Sequence, residues 1–283
     1  MKLSIQPNLK DKVVVVTGGG GVLCSMFAKA IATCGAKVAV LDLTQEKADI
    51  VANEIKNDGF EAFGVSCNVL DRASIEAAHQ KVLSYYGKCD ILINGAGGNN
   101  PKATTDDEFF NREKFGVKGN KSFFDLDLEG FNFVFGLNFT GTLLPTQIFA
   151  QDMIDKPGSS ILNISSMNAF TPLTKIPAYS AAKAAVSNFT QWLAVHFAKT
   201  GIRVNAMAPG FFSTKQNKAL LWNEDGTPTD RSRKILNNTP MGRYGEPEEL
   251  IGTLLWLVDQ ESSGFVTGIV VPVDGGFSAY SGV

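Results

Sequence analysis

A tyrosine and a lysine that could cooperate in proton transfer lie four residues apart, as Tyr179 and Lys183, inside a predicted helix over residues 178–199. Residues i and i+4 share one helical face, with Cβ atoms about 6 Å apart. An ammonium group stabilises a nearby phenolate, so it lowers the pKa of the phenol from about 10 toward neutrality. Ser166 ends a predicted strand 13 residues earlier, where its hydroxyl would hold a substrate oxygen. Taken alone, this spacing is more often a core tyrosine beside a lysine that reaches solvent.

A glycine-rich turn near the start of the chain has the properties of a phosphate-binding loop. Residues 17–24 read TGGGGVLC, follow a predicted strand and open a predicted helix. Gly18 and Gly20 let backbone amides approach a pyrophosphate, whose negative charge a helix N-terminus favours. Asp42 ends the next strand, Leu43 follows it, and the loop contains neither Arg nor Lys. A carboxylate there binds ribose hydroxyls and repels a 2′-phosphate, so we predict NAD rather than NADP; the alternative is that Asp42 only caps or turns the chain.

The elements that would position these residues alternate along the chain. Short runs rich in Val and Ile predict buried parallel strands over residues 13–16, 37–41, 62–67, 91–93, 161–164, 203–206 and 269–273. Helices are predicted over residues 23–34, 45–58, 72–86, 178–199 and 247–258, with Thr44 and Asp71 at N-cap positions. This alternation predicts an α/β fold, a doubly wound parallel sheet flanked by helices. No linker stands out, so we expect a single domain over residues 1–283.

The composition is that of a folded globular protein. Of the 283 residues, 44% are hydrophobic and 19% are charged, and the net charge is −2. Because positive charge is not in excess, nucleic acids and anionic membranes are poor partners. Cys24, Cys34, Cys67 and Cys89 form no CxxC pair and only two histidines accompany them, so we predict buried free thiols and no metal site. Neither a membrane-length apolar run nor a secretory signal is evident, and a cytoplasmic location is the default expectation.

Two long segments interrupt the alternation. Residues 98–137 form one of them, and nine of the 20 phenylalanines fall between Phe109 and Phe139. Residues 211–244 form the other, with Trp222 and Gly226 in the middle. Long irregular segments in compact domains are usually functional loops. We therefore expect an insertion at residues 98–137, which serves either the site or a subunit contact, and a substrate lid at residues 211–244.

Nine short motifs in this chain resemble the short-chain dehydrogenase/reductase family over residues 12–277. They are TGGGGVLC at Thr17, NV at Asn68, NGAG at Asn94, the single Asn138, NISS at Asn163, YSAAK at Tyr179, APGFFST at Ala208, PMGRYGEPEE at Pro240 and VDGG at Val273. The resemblance implies a Rossmann-type sheet of about seven strands. It also implies an enzyme that transfers a hydride between a nicotinamide and an alcohol or ketone.

The resemblance implies roles for individual residues as well. Tyr179 would be the catalytic acid or base, Lys183 would lower its pKa and hold the nicotinamide ribose, and Ser166 would position the reacting oxygen. Asn138 would anchor a water molecule that relays protons. The cofactor-binding residues would be Gly18, Gly20, Val22, Leu23, Asp42, Leu43, Asn68, Val69, Asn94, Ala96, Tyr179, Lys183, Pro209, Gly210, Phe212 and Thr214.

Several positions depart from the usual pattern of the family. The glycine loop normally reads TGxxxGxG, but its last two glycines are Val22 and Cys24 here, and the second Asn of the usual NNAG is Gly95. We expect side chains near the pyrophosphate at those positions. Binding would persist through Gly18, Gly20 and the amides of the following helix.

The insertion, the VLC variant and the string SMNAFTP at residues 166–172 resemble a bacterial subgroup of the family, the D-mannonate oxidoreductases. This implies reduction of fructuronate to mannonate with NADH. A sugar acid needs polar donors and at least one cation, for which the candidates are Asn99, Asn100, Asn168, Lys102, Lys118, Lys121, Lys215 and Arg243.

Two alternatives remain open at this point. One is a gluconate 5-dehydrogenase or another polyol dehydrogenase with the same machinery. The other is a non-catalytic nucleotide-binding protein, against which the intact Asn138, Ser166, Tyr179 and Lys183 argue. The resemblance also suggests a homotetramer, assembled through the helix at residues 178–199 and the helix after Asn138.

Overall fold

A computed structural model of the chain describes residues 7–214 and 218–282. Its centre is a seven-stranded sheet in the order β3-β2-β1-β4-β5-β6-β7, in which every neighbouring pair is parallel. The strands are β1 Val13–Thr17, β2 Lys37–Asp42, β3 Ala62–Ser66, β4 Ile91–Asn94, β5 Ser160–Ile164, β6 Arg203–Pro209 and β7 Val270–Val273. The predicted doubly wound α/β sheet is confirmed.

Helices cover both faces of this sheet. They are α1 Val22–Thr33, α2 Gln45–Asn57, α3 Arg72–Tyr85, α4 Leu128–Phe135, α5 Gly141–Phe149, α6 Pro177–His196, α7 Lys218–Leu221, α8 Asp230–Asn237, α9 Ile251–Val258 and α10 Gln260–Ser263. Asp71 caps α3 as predicted, because its side chain accepts a hydrogen bond from the Ala73 amide at 3.1 Å. Thr44 occupies the N-cap of α2 but makes no side-chain capping bond.

The apolar strand runs are explained by burial on both faces of the sheet. Every residue of Val13–Thr17 is buried, and successive side chains point to opposite faces. Val14 and Val16 join the hydrophobic cluster beneath α1, α2 and α9, whereas Val13 and Val15 join the cluster beneath α3, α5 and α6. A strand packed on both sides has no polar face, so its sequence does not alternate.

The strand order reverses between β1 and β4. From β1 the chain runs outward to β2 and β3, and then returns to β4 on the other side of β1. In register, Thr17 of β1 pairs with both Leu41 and Asn94, and Asn94 pairs with Asn163. The carboxyl ends of the central strands therefore lie level along one edge, and a crevice opens there at the point of reversal.

The insertion is more ordered than its sequence predicts. Its first part contains the 3-10 turns Pro101–Ala103, Arg112–Lys114 and Phe123–Asp125. It then forms α4, where the side chain of Asp127 caps the helix by accepting from the Gly130 amide at 2.6 Å. We expected an irregular segment up to residue 137, and this expectation is wrong for residues 128–135.

The helical segment Leu128–Met153 is long and apolar enough to cross a membrane by length and composition alone. Half of its apolar window is buried inside the fold. It consists of α4, a π-helical turn Gly136–Thr140, α5 and a 3-10 turn, and it packs against the sheet and α6. In the structure the segment is thus a helix of the α/β layer.

Beyond β6, the segment that we expected to be a lid contains α7 and α8. Leu221, Ile235 and Tyr244 are buried together in a small hydrophobic cluster of their own. The Tyr244 hydroxyl donates a hydrogen bond to Ser232 Oγ at 2.7 Å, which ties the end of the segment back to α8. The described parts of the segment, residues 211–214 and 218–244, therefore pack as a small separate layer over the carboxyl edge of the sheet, and residues 215–217 lie outside the described residues.

Candidate active site

Helix α6 carries Tyr179 and Lys183 on the face that looks toward the crevice. Lys183 is only 4% exposed, and its Nζ donates a hydrogen bond to the Ile164 carbonyl at 2.8 Å. The same Nζ lies 5.6 Å from the centre of the Tyr179 ring. The i, i+4 spacing therefore brings the two side chains together as predicted.

The ionisation of this pair is governed first by burial. Removal from water raises the pKa of Tyr179, and the neighbouring Ser166 hydroxyl opposes that shift without cancelling it. Burial lowers the pKa of Lys183 to about 8. We predicted a lowered pKa for the tyrosine, and this is wrong for the protein without cofactor. The free energy needed to move a phenolate out of water exceeds the stabilisation that its neighbours provide.

Ser166 follows β5 and begins the 3-10 turn Met167–Ala169. Its hydroxyl accepts a hydrogen bond from the Asn168 amide at 3.2 Å, which fixes the side chain at the start of the turn. The hydroxyl of the preceding residue, Ser165, donates a hydrogen bond to the Lys183 carbonyl at 3.1 Å, which joins the end of β5 to α6. Ser166 therefore lies beside Tyr179. The Ser166 hydroxyl also hydrogen-bonds to the Tyr179 phenol, so the two hydroxyl groups lie side by side.

Asn138 lies in the π-helical turn and is fully buried. Its Nδ2 donates to the carbonyls of Gly98 and Val134, each at 2.7 Å, and its Oδ1 accepts from the Gly98 amide at 3.2 Å. A Cβ atom added to Gly97 would lie 2.6 Å from Asn138 Oδ1 and 3.2 Å from Lys183 Nζ. The loop after β4 therefore packs closely at Gly97 against both Asn138 and Lys183.

A cleft of about 440 Å³ runs along the carboxyl edge of the sheet beside these residues. Ten of the predicted cofactor residues line it: Gly18, Gly20, Val22, Leu23, Asp42, Ala96, Tyr179, Lys183, Pro209 and Gly210.

The first turn of the cleft has no room for side chains. Gly18 has φ +64°, and a Cβ there would lie 2.8 Å from the Ala96 Cα, so both conformation and space require glycine. The amide of Gly20 donates to Asp42 Oδ2 at 3.0 Å, which joins the loop to the end of β2.

The other predicted cofactor residues lie outside the lining of this cleft. Asn94 is turned inward, where its Nδ2 donates to Thr146 Oγ1 and Asn163 Oδ1, both at 2.9 Å. Asn68 accepts from the Leu70 amide at 3.0 Å in a tight turn, and Val69 is buried against α5. Leu43 is 66% exposed at the rim, and Phe212 is buried against Gly245. The remaining one, Thr214, borders the segment outside the described residues.

Two departures from the usual family pattern turn out to be one packing arrangement. Cys24 is 5% exposed, and a Cβ added to Gly95 would lie 2.2 Å from its Sγ. The thiol of Cys24 thus fills the space that the missing side chain at Gly95 leaves. Burial raises the pKa of Cys24 to about 12, so it is a neutral packing group.

A second cavity of about 750 Å³ lies on the far side of Tyr179, over the carboxyl edge and beneath α8. The insertion lines it with Asn99, Thr104 and Glu108, and the loop before α6 lines it with Lys175. Helix α8 presents Arg231, Lys234 and Ile235, and its C-cap residue Asn238 also lines the cavity. Tyr179 therefore stands between a cleft rich in backbone amides and a cavity lined by three cations.

Most of the polar and cationic residues that we predicted to bind a sugar acid do not line this cavity. In the described part of the chain, only Asn99 of that set does. Lys121 bonds to the Pro101 carbonyl, and Arg243 is held by Glu249 in a two-pronged pair at 2.6 and 2.7 Å. Asn168 is buried next to Ser166, and Lys215 lies outside the described residues.

The rest of these candidates face elsewhere. Asn100 caps the first turn of the insertion, since its side chain accepts from the Lys102 amide. The stem of Lys102 packs on Gly130, and Lys118 is exposed.

The sequence did not lead us to predict the three cations of the cavity, Lys175, Arg231 and Lys234. A signal for two of them was present, because residues 231, 234, 235 and 238 have the i, i+3, i+4, i+7 spacing of one helical face. The position of Lys175 depends on the loop before α6, which has no such pattern.

Comparison with known proteins agrees with this geometry. The family model for short chain dehydrogenases matches residues 12–225. An uncharacterized oxidoreductase of Haemophilus influenzae is 59% identical over 284 residues, covering 100% of this chain and 99% of that protein. The crystal structure of a candidate D-mannonate oxidoreductase from Haemophilus influenzae, with bound NAD, has a TM-score of 0.95 and 60% identity and covers 98% of both chains.

A more distant relative has a named activity. The 5-keto-D-gluconate 5-reductase of Escherichia coli strain K12 is 28% identical over 269 residues, covering 95% of this chain and 96% of that protein. The chain described here belongs to the short chain dehydrogenase family, and it is an oxidoreductase.

Proposed function

We propose that this protein uses NAD(H) to interconvert an alcohol and a ketone on a six-carbon sugar acid, D-mannonate and D-fructuronate. One observation carries the proposal: Tyr179 lines both the amide-rich cleft, where Ser166 and Lys183 accompany it, and a cavity lined by three cations. The Haemophilus structure with bound NAD supports the cofactor, and the similarity to this candidate D-mannonate oxidoreductase supports the substrate.

The cleft fits a dinucleotide on its own geometry. The glycine turn leaves no Cβ between the loop and the strand ends, and α1 begins directly after it with no acidic residue in its first turn. Asp42 lies at the end of β2 and lines the cleft. Its carboxylate would accept hydrogen bonds from the adenosine ribose, and it would repel a 2′-phosphate.

When bound, the nicotinamide supplies a hydride to the ketone carbon or takes one from the alcohol. Tyr179 would donate its proton to the oxygen that develops negative charge, while Ser166 holds that oxygen by a second hydrogen bond. Because the pKa of Tyr179 is raised, the phenol is protonated at neutral pH, which is the form that ketone reduction requires. Alcohol oxidation requires the phenolate and should therefore accelerate as the pH rises.

Lys183 and Asn138 would support this proton transfer. The Lys183 ammonium is desolvated and close to the ring, so it would stabilise the phenolate left after the proton has gone. Asn138 holds the Gly97–Gly98 backbone against Lys183 and would anchor a water molecule that returns the proton.

The assembly that we propose is a homotetramer in the cytoplasm, built through α6 and the helices around Asn138. Trp192 and Val195 on α6 are large apolar side chains that are 57% and 80% exposed in the single chain. Light scattering coupled to gel filtration measures the assembly. A monomer at micromolar concentration would contradict this part of the proposal.

We also propose that residues 211–244 are the lid of a single domain. The described residues of this segment pack as a small layer, and α8 lies over the Tyr179 cavity. Closure over bound substrate would exclude water from the hydride transfer. Limited proteolysis with and without NADH tests closure, because equal cleavage of the segment in both conditions would argue against it.

Kinetics with two ketones test the substrate. NADH oxidation should be fast with D-fructuronate and slower with 5-keto-D-gluconate. A variant with Tyr179→Phe, assayed beside the wild type, shows whether turnover depends on the phenol. Absence of fructuronate turnover would overturn the proposed substrate.

A second candidate is reduction of 5-keto-D-gluconate, which the Escherichia coli relative favours. A higher kcat/KM with 5-keto-D-gluconate than with fructuronate would select it. If neither ketone is turned over although NAD binds, a non-catalytic nucleotide-binding role would be favoured instead.

A further inference from the structure

The mouth of the Tyr179 cavity is spanned by an ion pair between the insertion and α8. Glu108 Oε1 and Lys234 Nζ are 2.7 Å apart. Both residues, together with Lys175, line the inner cavity that contains Tyr179 and also an outer cavity of about 730 Å³ bordered by residues 107–113. The three charged side chains therefore stand at the boundary between the two spaces.

Within the described residues, the inner cavity contains more positive than available negative charge. Its cations are Lys175, Arg231 and Lys234, and its acids are Glu108 and Asp230. Asp230 is 93% exposed and pairs with Arg233 at 3.0 Å. Arg231 makes no ion pair with the residues that the structure describes. Glu108 is then the acid that balances the cluster.

Lys175 is held at this boundary by an unfavourable backbone conformation. It has φ +72°, a left-handed value that lysine rarely adopts. Its carbonyl accepts a hydrogen bond from the Thr105 amide at 2.9 Å, which joins the loop before α6 to the insertion. Lys175 precedes Tyr179 by four residues, so its cation is tied to the position of the reacting phenol.

Both lysines stabilise the ionised form of the Glu108 carboxylate. Its pKa is lowered by the hydrogen bond with Lys234 and to a smaller extent by the charge of Lys175. The carboxylate and Lys234 are 33% and 64% exposed, so their pairing is easily broken and remade.

We infer that Lys175, Arg231 and Lys234 form the subsite for the substrate carboxylate, and that Glu108 is an internal carboxylate which the substrate displaces from Lys234. The inference rests on the proposed function, because it assigns the acid group of that substrate to a place. A neutral sugar cannot exchange with Glu108 without leaving an unpaired charge. The ion pair would thus select acids over polyols.

Calorimetric titrations of the full-length protein with NADH present test this subsite, because the alcohol probes cannot accept a hydride and only binding is measured. The probes are D-mannonate, D-gluconate and the uncharged D-mannitol. Lys234→Met should weaken binding of both carboxylates about ten-fold, since it removes a charge-assisted contact. Glu108→Gln should tighten them about three-fold by removing the competing carboxylate. Binding of D-mannitol should not change in either variant.

Lys118→Met is the matched control. It removes one positive charge from an exposed lysine of the insertion that does not line the cavity. We expect its binding to equal that of the wild type. If carboxylates bind and all three variants behave alike, the subsite is refuted while the proposed function stands.

The three probes separate the two proposals. If D-gluconate binds and D-mannonate does not, with the expected response to Glu108→Gln and Lys234→Met, the proposed substrate fails and the subsite is supported. If neither acid binds more tightly than D-mannitol, the subsite is overturned.

Discussion

Replacing Lys183 with methionine should make the cofactor-free protein more stable while it abolishes activity. Lys183 is 4% exposed, and burial lowers its pKa to about 8. A buried ammonium whose hydration is lost is tolerated in the folded state at a cost. Methionine has a similar length and no charge, so Lys183→Met removes that cost and fills the same space.

The size and sign of the effect follow from the pKa. The fall from an ordinary value of 10.5 to about 8 corresponds to a penalty of about 3 kcal/mol. Loss of the hydrogen bond from Lys183 Nζ to the Ile164 carbonyl destabilises the variant by about 1 kcal/mol. At pH 7 the variant should therefore be more stable by about 2 kcal/mol.

The pH dependence makes the prediction specific. Below about pH 8 Lys183 is charged in both the folded and unfolded states, so the penalty is complete. Between that pH and 10.5 the unfolded chain binds the proton more tightly than the folded protein does. The free energy of unfolding of the wild type therefore rises with pH relative to that of the variant. Above 10.5 the penalty is gone, and the variant should be less stable by about 1 kcal/mol.

Urea unfolding at one protein concentration measures these differences, because assembly would link stability to concentration. Lys118→Met is the control, since Lys118 is exposed and its loss should change the free energy of unfolding by less than about 0.5 kcal/mol. A Lys183→Met variant that is no more stable than the wild type at pH 7 would refute the reasoning. So would a stability difference that stays constant from pH 7 to pH 10.5.

Three further predictions concern the cleft and its loop. Tyr179→Phe should reduce kcat at least about 100-fold with little change in NAD affinity, measured by stopped-flow and fluorescence titration; retained turnover would exclude the phenol as the acid. Asp42→Ser should lower the KM for NADP about ten-fold or more by removing charge repulsion, and an unchanged NAD-to-NADP ratio would show that Asp42 does not read the ribose. Gly95→Ala should destabilise by about 1–3 kcal/mol, since its Cβ would lie 2.2 Å from Cys24 Sγ. Adding Cys24→Ala should recover part of that loss, and strictly additive effects in the cycle would argue against the contact.

The sheet, its main helices and the Tyr179–Lys183 pair were predictable from the sequence because they depend on local spacing. An apolar run bounded by turns becomes a buried strand, and residues four apart share a helical face wherever the helix lies. Ser166 could be placed for the same reason, since it ends a strand and the carboxyl ends of parallel strands meet at one edge.

Other features depend on neighbours that are distant in sequence, and only the tertiary structure decided them. The raised pKa of Tyr179 sums desolvation over all the elements packed around it. Asn94 turns inward because Thr146 and Asn163 are there to accept its hydrogen bonds. The thiol of Cys24 replaces a side chain at Gly95, 71 positions along the chain. Local spacing determines which residues share an element, whereas contact and burial are set by how the elements pack.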